Sequence, residues 1–158
     1  MKPLIIFSSE SGNTIEVAEA MATAIQADLK NASAITAADL GGRTLIGLGS
    51  GIYTLQHLPP IRRLVPQLPE SCRVFIFSTS GLAGQLPSSA RRITHWRLRR
   101  ALRGRKIAIL GEWDCPGQVK GGIYGWFGLY RGRPNQKDLA SAAQFAGQMA
   151  EKAGQEGS

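Results

Sequence analysis

Cysteine and histidine are both scarce in this sequence, which has two of each among its 158 residues. Cys72 and Cys115 lie too far apart in the chain for a disulfide framework, and the spacing of His57 and His95 is not that of a metal site. We therefore expect neither a disulfide-stabilised secreted domain nor a metal centre. The low cysteine content favours a cytoplasmic location.

Long hydrophobic runs are missing as well. No stretch reaches the roughly 18 consecutive apolar residues that a membrane-spanning helix needs, and the apolar segment Leu4–Phe7 is too short for a secretion signal. The hydrophobic content of 43% and the charged content of 19% are ordinary for a globular protein. We expect residues 1–153 to form one domain and residues 154–158 a frayed tail, with no transmembrane segment.

One segment of the chain lacks acidic residues altogether. Residues 91–106 contain no Asp or Glu but eight of the 19 Lys and Arg residues, so this segment carries the whole formal charge of +8. It is interpreted as a solvated helix face, as a surface for an acidic protein or an anionic substrate, or, with Trp96 nearby, as a nucleic-acid or membrane contact. Because nothing else in the sequence resembles a nucleic-acid-binding module, we expect no nucleic-acid partner.

Short apolar segments alternate with segments of helical spacing along the chain. Apolar residues recur at helical spacing from Ala18 to Leu29, and Thr94 is placed to cap a helix that ends at Gly104. Strands alternating with helices predict an α/β domain, with a doubly wound parallel sheet of five strands and helices on both faces. The five predicted strands are Leu4–Phe7, Ala34–Thr36, Thr44–Leu48, Val74–Phe77 and Ile107–Leu110.

The loop after the first strand carries the clearest chemical signal. Hydroxyls of Ser9, Ser11 and Thr14, backbone N–H groups and the positive end of the next helix would together surround an anion. Gly12 allows the backbone to bend closely around it. The loop lacks the Gly-Lys-Ser/Thr ending of loops that bind nucleoside triphosphates and the GxGxxG pattern of loops that bind dinucleotides. The other interpretation is a helix terminus capped by small polar residues.

Several segments, in order along the chain, resemble those of the flavodoxin family. Ser-Glu-Ser-Gly-Asn-Thr at residues 9–14 resembles the phosphate loop of flavodoxins, whose pattern is Thr/Ser-x-Thr/Ser-Gly-x-Thr. The segments Leu45–Tyr53 and Phe77–Gly81 resemble the second and third flavin loops of that family. Gly111–Gly117 and Gly132–Leu139 are similar to segments of its short, single-domain members. The resemblance implies a flavodoxin-like sheet of strand order 2-1-3-4-5 and FMN as the cofactor.

The resemblance also implies which residues bind FMN. Four residues would hold the phosphate by their side chains: Ser9, Ser11, Asn13 and Thr14. Glu10 and Gly12 would contribute mainly backbone groups. In the family, a carbonyl in the second loop can accept the N5 proton of the reduced flavin, and Gly51 or a neighbour is the candidate here. Tyr53 would stack on the ring or be an ordinary surface aromatic. The remaining ring contacts are implied at Ser50, Gly51, Ile52, Tyr53, Thr79, Ser80 and Gly81.

The basic segment departs from the family pattern, because flavodoxins that act as soluble carriers are usually acidic whereas this sequence has a pI of about 10.1. The departure concerns the partner, which we expect to be an acidic redox protein or an anionic small molecule. The candidate docking residues are Arg91, Arg92, Arg97, Arg99, Arg100 and Arg103.

Three functions remain open at this point. The leading hypothesis is an FMN-binding electron carrier that passes one or two electrons to a redox partner and has no catalytic residues of its own. The second is a small FMN-dependent oxidoreductase acting on an anionic or quinone-like substrate, and the third is a binding domain without flavin.

Two further features of the carboxyl-terminal third allow alternatives. Cys115 is an exposed thiol or a packed side chain, and the aromatic residues between Trp113 and Tyr130 form a local core or a partner surface. Asn135 and Asp138 have the spacing of a capping box at the start of the last helix.

Overall fold

A parallel β-sheet forms the centre of the molecule, as seen in a computed structural model that describes residues 2–81, 91–118 and 131–155. Five parallel strands lie in the order β2-β1-β3-β5-β6, and the short β4 pairs antiparallel with the end of β3. The predicted doubly wound sheet is confirmed, with β4 as an addition. The strands are β1 Pro3–Ser8, β2 Asp28–Asn31, β3 Leu45–Tyr53, β4 Gln56–His57, β5 Arg73–Ser80 and β6 Ala108–Pro116.

Helices cover both faces of this sheet. The helices are α1 Asn13–Ile25, α2 Ala37–Leu40, α3 Pro59–Leu64, α4 Arg91–Thr94, α5 Trp96–Gly104 and α6 Gln136–Gln155, with 3-10 turns at Ala32–Ala34 and Val65–Gln67. Helices α1 and α6 pack on one face over Ile5, Phe75 and Phe77, and α3 and α5 pack on the other over residues such as Ile46 and Ile76. None of the helices in the described ranges is long and apolar enough to cross a membrane.

The predicted second strand at Ala34–Thr36 is wrong. The strand next to β1 is Asp28–Asn31, and residues 32–34 form a 3-10 turn. Helix α1 ends at Ile25, where Gln26 adopts φ 51°, so Leu29 belongs to β2 and not to the helix face. An edge strand with exposed ends has too few buried positions to show a hydrophobic pattern, and β2 therefore escaped detection.

The strands that lead to the carboxyl edge of the sheet are longer than predicted. Residues 49–58, expected to be a loop, contain the end of β3 and a hairpin into β4, and β6 continues to Pro116. Gly49 lies directly beneath the Phe77 ring, since a Cβ at this position would stand 2.1 Å from Cε2 of Phe77.

Thr94 does not cap α5, because it ends α4, and His95 is the N-cap of α5. Residues 156–158 of the predicted tail lie outside the described residues.

Candidate functional site

A cleft of about 470 Å³, part of it open solvent, lies at the carboxyl ends of the central strands. The strand order reverses between β1 and β3, and the carboxyl edge at such a reversal is where open α/β sheets bind ligands. The described part of the cleft wall comes from four chain segments. Its residues are Ser11, Asn13, Gly51, Ile52, Tyr53, Thr79, Ser80, Gly81, Gly117 and Gln118.

The loop after β1 presents backbone donors at one end of this cleft. Gly12 is the N-cap of α1 and adopts φ 88°, a left-handed conformation that a side chain at this position would strain. Because Gly12 has no side chain, it cannot cap the first-turn N–H groups of the 13-residue helix. Ser9 Oγ accepts the Gly12 N–H at 3.0 Å and closes the loop. A helix N-terminus with this geometry can bind an anion.

Side chains of this loop bind the other segments of the cleft. Asn13 Nδ2 donates to Ser11 Oγ at 3.1 Å and to the Gln118 carbonyl at 2.8 Å. The hydroxyls of Thr14 and Thr79 lie 2.8 Å apart, and Thr14 is only 1% exposed. The phosphate-loop candidates and the third loop are therefore one hydrogen-bonded unit.

Gly117 and Gln118 line the cleft, although sequence reasoning did not select them. A Cβ at Gly117 would stand 2.8 Å from Asn13 Nδ2, so this glycine permits close approach of the two loops. The Gly117 N–H also donates to the Ser80 carbonyl at 3.1 Å. A signal was present in the Cys-Pro-Gly sequence, because a Pro-Gly pair directly after a strand marks a turn at the ligand-binding edge.

The second predicted loop is divided between the cleft and the protein interior. Gly51, Ile52 and Tyr53 line the cleft, whereas Ser50 is fully buried and its hydroxyl faces away from it. The Tyr53 ring lies over Gly51, and its hydroxyl lies near the Glu10 carboxylate. Partial burial, and then the Glu10 carboxylate, raise the pKa of Tyr53. The Tyr53 phenol and the Glu10 carboxylate are therefore neighbours at the cleft mouth.

Unusual backbone follows at the tip of the β3–β4 hairpin. Thr54 and Leu55 have φ values of 47° and 61°, although neither is a glycine. Positive φ at both central residues is the pattern that Asn-Gly turns adopt without strain, and a β-branched residue there is disfavoured. The strained backbone in this loop is therefore at Thr54–Leu55 and not at Gly51.

Replacing Thr54–Leu55 by Asn–Gly should raise the free energy of unfolding by about 1–2 kcal/mol, because the new residues tolerate positive φ. Urea denaturation of both proteins measures the difference. Placing the same two residues in the opposite order, Gly at position 54 and Asn at position 55, should raise the free energy of unfolding by less. A loss of stability in the Asn–Gly variant would show that the native turn is not strained.

A chain of buried polar side chains lies directly behind the cleft, on the sheet face covered by α3 and α5. Ser78 Oγ and His95 Nε2 lie 2.9 Å apart, and His95 Nδ1 lies 3.0 Å from Glu112 Oε2. Arg99 donates from Nε and Nη2 to the two Glu112 oxygens, at 2.7 Å each. Ser78 is 1% exposed and His95 is fully buried, so this serine–histidine–carboxylate arrangement is shielded from solvent, and it links β5 to β6.

The charge state of Glu112 follows from its partners. Burial by itself would raise the pKa of this carboxyl, but the hydrogen bonds from His95 and Arg99 outweigh burial and lower the pKa to about 2. Glu112 is therefore a carboxylate at neutral pH. Because a carboxylate only accepts hydrogen bonds, His95 Nδ1 must carry the proton that it shares with Glu112.

The arginines of the basic segment have different environments. Arg92, Arg97, Arg100 and Arg103 are exposed, Arg99 is half-buried in its pair with Glu112, and only the backbone of Arg91 is described. Because α5 connects the end of β5 to the start of β6, its Trp96 end lies at the cleft edge and its Gly104 end at the opposite edge. Arg97 accordingly donates to Gln56 of the hairpin at 3.1 Å.

Exposed apolar side chains accompany the cleft end of the basic segment. The hairpin contributes Tyr53 and Leu55, and helices α4 and α5 contribute Ile93 and Trp96, each between 43% and 55% exposed. Arg97 lies over the Trp96 ring, 5.6 Å from its centroid. The surface beside the cleft therefore combines the positive charge of the basic segment with exposed apolar side chains of the hairpin and of helices α4 and α5.

Cys115 is a packed side chain. It is 3% exposed and belongs to the core between the sheet and helices α1 and α6, and burial raises the pKa of its thiol well above the ordinary value. The alternative of an exposed thiol is wrong. The predicted aromatic cluster lies mainly in residues 119–130, outside the described residues.

Comparison with known proteins places the chain in a family. No family model matches it. It is 33% identical over 149 residues to the uncharacterized protein MJ0298 of Methanocaldococcus jannaschii, covering 92% of this chain and 96% of that protein. Among solved structures, it is similar to a flavodoxin from the domain Archaea, with a TM-score of 0.70 at 19% identity, covering 97% of this chain and 99% of the other. Oxidised Flavodoxin 2 from Bacillus cereus gives 0.67 at 18% identity, covering 96% and 99%. The chain therefore belongs to the family of the Methanocaldococcus jannaschii protein, and its fold is flavodoxin-like.

Proposed function

We propose that the protein binds FMN in the cleft and acts as an electron-transfer protein. One observation carries this proposal. The N-terminus of α1, which has no side-chain cap, lies at the cleft where the strand order reverses. The names of the similar solved structures, which are flavodoxins, support it. We place this activity in the cytoplasm, on the low cysteine content.

The cleft residues and the adjoining loop after β1 have the donors that FMN would need. The first-turn amides of α1, with Ser9, Ser11, Asn13 and Thr14 around them, would bind a phosphate monoester. Gly51, Ile52 and Tyr53 on one side, and Thr79, Ser80 and Gly81 on the other, would contact the ring. FMN supplies one- and two-electron transfer when bound, and the chain orients it and shields it from water.

The exposed surface beside the cleft supports a protein partner of acidic character. Arg92 and Arg97 lie with the exposed apolar residues of the hairpin and of α4 and α5, and interfaces commonly combine apolar and arginine side chains. Arg91, Arg100 and Arg103 extend the docking proposal along the segment, whereas Arg99 is already bound to Glu112. We infer an acidic redox protein as the partner.

The direct test is titration of the ligand-free protein with FMN and with riboflavin. FMN should bind with a change in its visible absorption, and riboflavin should bind more weakly because it lacks the phosphate. A protein that binds neither compound would overturn the proposal. Unaided turnover of a quinone or a small anion by the FMN-loaded protein would instead favour the oxidoreductase.

The Thr14 hydroxyl provides a test of the phosphate loop. Replacing Thr14 by Val should weaken FMN binding by about 1–3 kcal/mol, since the buried hydroxyl bonded to Thr79 is lost and a phosphate contact is unmet. Thr14→Ser keeps the hydroxyl and serves as the matched control, and calorimetric titration measures both variants. Equal FMN affinities in the two variants would contradict the loop assignment, and riboflavin affinity should differ little between them.

A further inference from the structure

Two buried serine–histidine pairs lie side by side beneath the cleft. Ser50 of β3 and Ser78 of β5 are partners in the strand register, and both are buried on the sheet face away from the cleft loops. Ser50 Oγ lies 2.9 Å from His57 Nδ1, which matches the distance between Ser78 and His95. The two imidazole rings contact each other, with centroids 4.8 Å apart.

The hydrogen bonds of Ser50 determine the proton position on His57. The Leu58 N–H donates to Ser50 Oγ at 3.0 Å, and the Ser50 hydroxyl donates to the Gly51 carbonyl at 2.8 Å. A hydroxyl has one proton and two acceptor sites. With the Ser50 proton on the Gly51 carbonyl, Ser50 Oγ has only an acceptor site left for His57, and this arrangement assigns the ring proton of His57 to Nδ1.

The environment of His57 keeps the ring neutral. The side chain is 2% exposed, and within the described ranges its Nε2 has no hydrogen-bond partner. Burial, then the neighbouring His95, lowers the pKa of His57, and Arg62 acts in the same direction while Glu112 opposes it. A neutral ring with the proton on Nδ1 leaves Nε2 as an acceptor without a donor. Among the described residues, the bond to Ser50 is therefore the one hydrogen bond of the His57 side chain.

We propose that His57 is a positioning residue that, through Ser50, holds the Gly51–Ile52 peptide in the orientation that the ligand requires. Gly51 has no Cβ and therefore restrains its own peptide poorly. The carbonyl and the N–H of a trans peptide point in opposite directions, so a bond to the Gly51 carbonyl also fixes the Ile52 N–H. Both residues line the cleft. The inference rests on the proposed FMN function, because it names a support of that same site.

Two variants of His57 separate positioning from packing. The amide nitrogen of Asn can occupy the place of Nδ1, whereas that of Gln occupies the place of Nε2, and both variants remove the ring contact with His95. His57→Asn should therefore keep FMN affinity within about two-fold, and His57→Gln should weaken it about five- to ten-fold, the effect of losing one ordinary hydrogen bond. Ser50→Ala should match His57→Gln, and the double variant should show no further loss.

Nitrogen-15 NMR of the ligand-free protein provides a readout that does not depend on FMN. We expect the His57 ring to be protonated at Nδ1, and the Gly51 and Ile52 amide signals to shift or broaden in His57→Gln but not in His57→Asn. Protonation at Nε2, or equal behaviour of the Asn and Gln variants, overturns the inference. Failure of the parent protein to bind FMN, with the NMR pattern as expected, overturns the proposed function alone and leaves the positioning of the peptide supported.

Discussion

Replacing Glu112 by Gln should lower the free energy of unfolding by about 3 kcal/mol. The substitution leaves the half-buried Arg99 without its bidentate partner, and loss of one member of such a pair typically costs about 3–5 kcal/mol. We take the lower end because Glu112 retains 19% exposure, and because His95 can transfer its proton to Nε2 and donate to Ser78. Chemical denaturation at pH 7 measures the difference.

The pH dependence of this difference has a definite sign. The pKa of Glu112 is about 2 in the folded protein and near 4.5 in the unfolded chain, so the unfolded state binds the proton more tightly. The stabilisation is therefore complete above about pH 5 and is lost as the pH falls toward 2. The stability gap between the parent protein and Glu112→Gln should close over the same range.

Glu70→Gln is the matched control for this experiment. Glu70 is 84% exposed and lies 3.7 Å from Arg105, so the same chemical change should alter stability by less than about 0.5 kcal/mol. Replacing Arg99 and Glu112 together by Leu should lower the free energy of unfolding by less than the sum of the losses in Arg99→Leu and Glu112→Leu, because no unpaired charge remains in the double variant. Additive effects would indicate that the two residues do not act as a pair.

Features that depend on local sequence could be predicted from it. The apolar run Leu4–Phe7 followed by a polar loop and a helix identified β1, the loop and α1, because each signal lies within a few residues. The capping box at Asn135 and Asp138 is confirmed by reciprocal hydrogen bonds of 2.8 and 3.1 Å. The resemblance to a family supplied the strand order, which no local pattern could provide.

The buried polar chain could not be predicted, because its members come from distant parts of the sequence. Ser50, Ser78 and Glu112 are brought together only when β3, β5 and β6 pair, and His57 and His95 join them from the segments that follow two of these strands. The one available signal was the position of the serines, which continue the buried alternation of Leu48 and Ile76 at period two. Buried serines at those positions call for buried partners.

The charge of the basic segment was evident from composition, but its use was not. Residues 97, 99, 100 and 103 are equivalent arginines in a sequence count, yet helical geometry places Arg99 against Glu112 and leaves the other three exposed. The direction of α5 then separates these three by their distance from the cleft edge. A test of docking must therefore compare positions along the helix and spare Arg99, because its reversal would disrupt the core.

Reversing Arg92 and Arg97 to Glu should slow reduction of the FMN-loaded protein by an acidic iron–sulfur protein about ten-fold at low salt, because steering charges near the docking site dominate association. Reversing Arg100 and Arg103 changes the net charge equally but acts farther from the cleft, and should slow it less than about three-fold. Stopped-flow mixing at several salt concentrations measures the reduction rate of both double variants. The rate should depend less on salt in the Arg92 and Arg97 variant than in the Arg100 and Arg103 variant.

A small uncharged reductant is the control for this comparison. It should reduce the parent protein and both double variants at the same rate, because it has no charge for the arginines to attract. Equal slowing of the two double variants by the acidic protein would mean that net charge alone drives association, and the docking face would lose its support. No slowing in either variant would identify the segment as a solvated helix face. A larger effect at Arg92 and Arg97, the arginines nearest Ile93 and Trp96, would instead place the partner over the apolar residues beside the cleft.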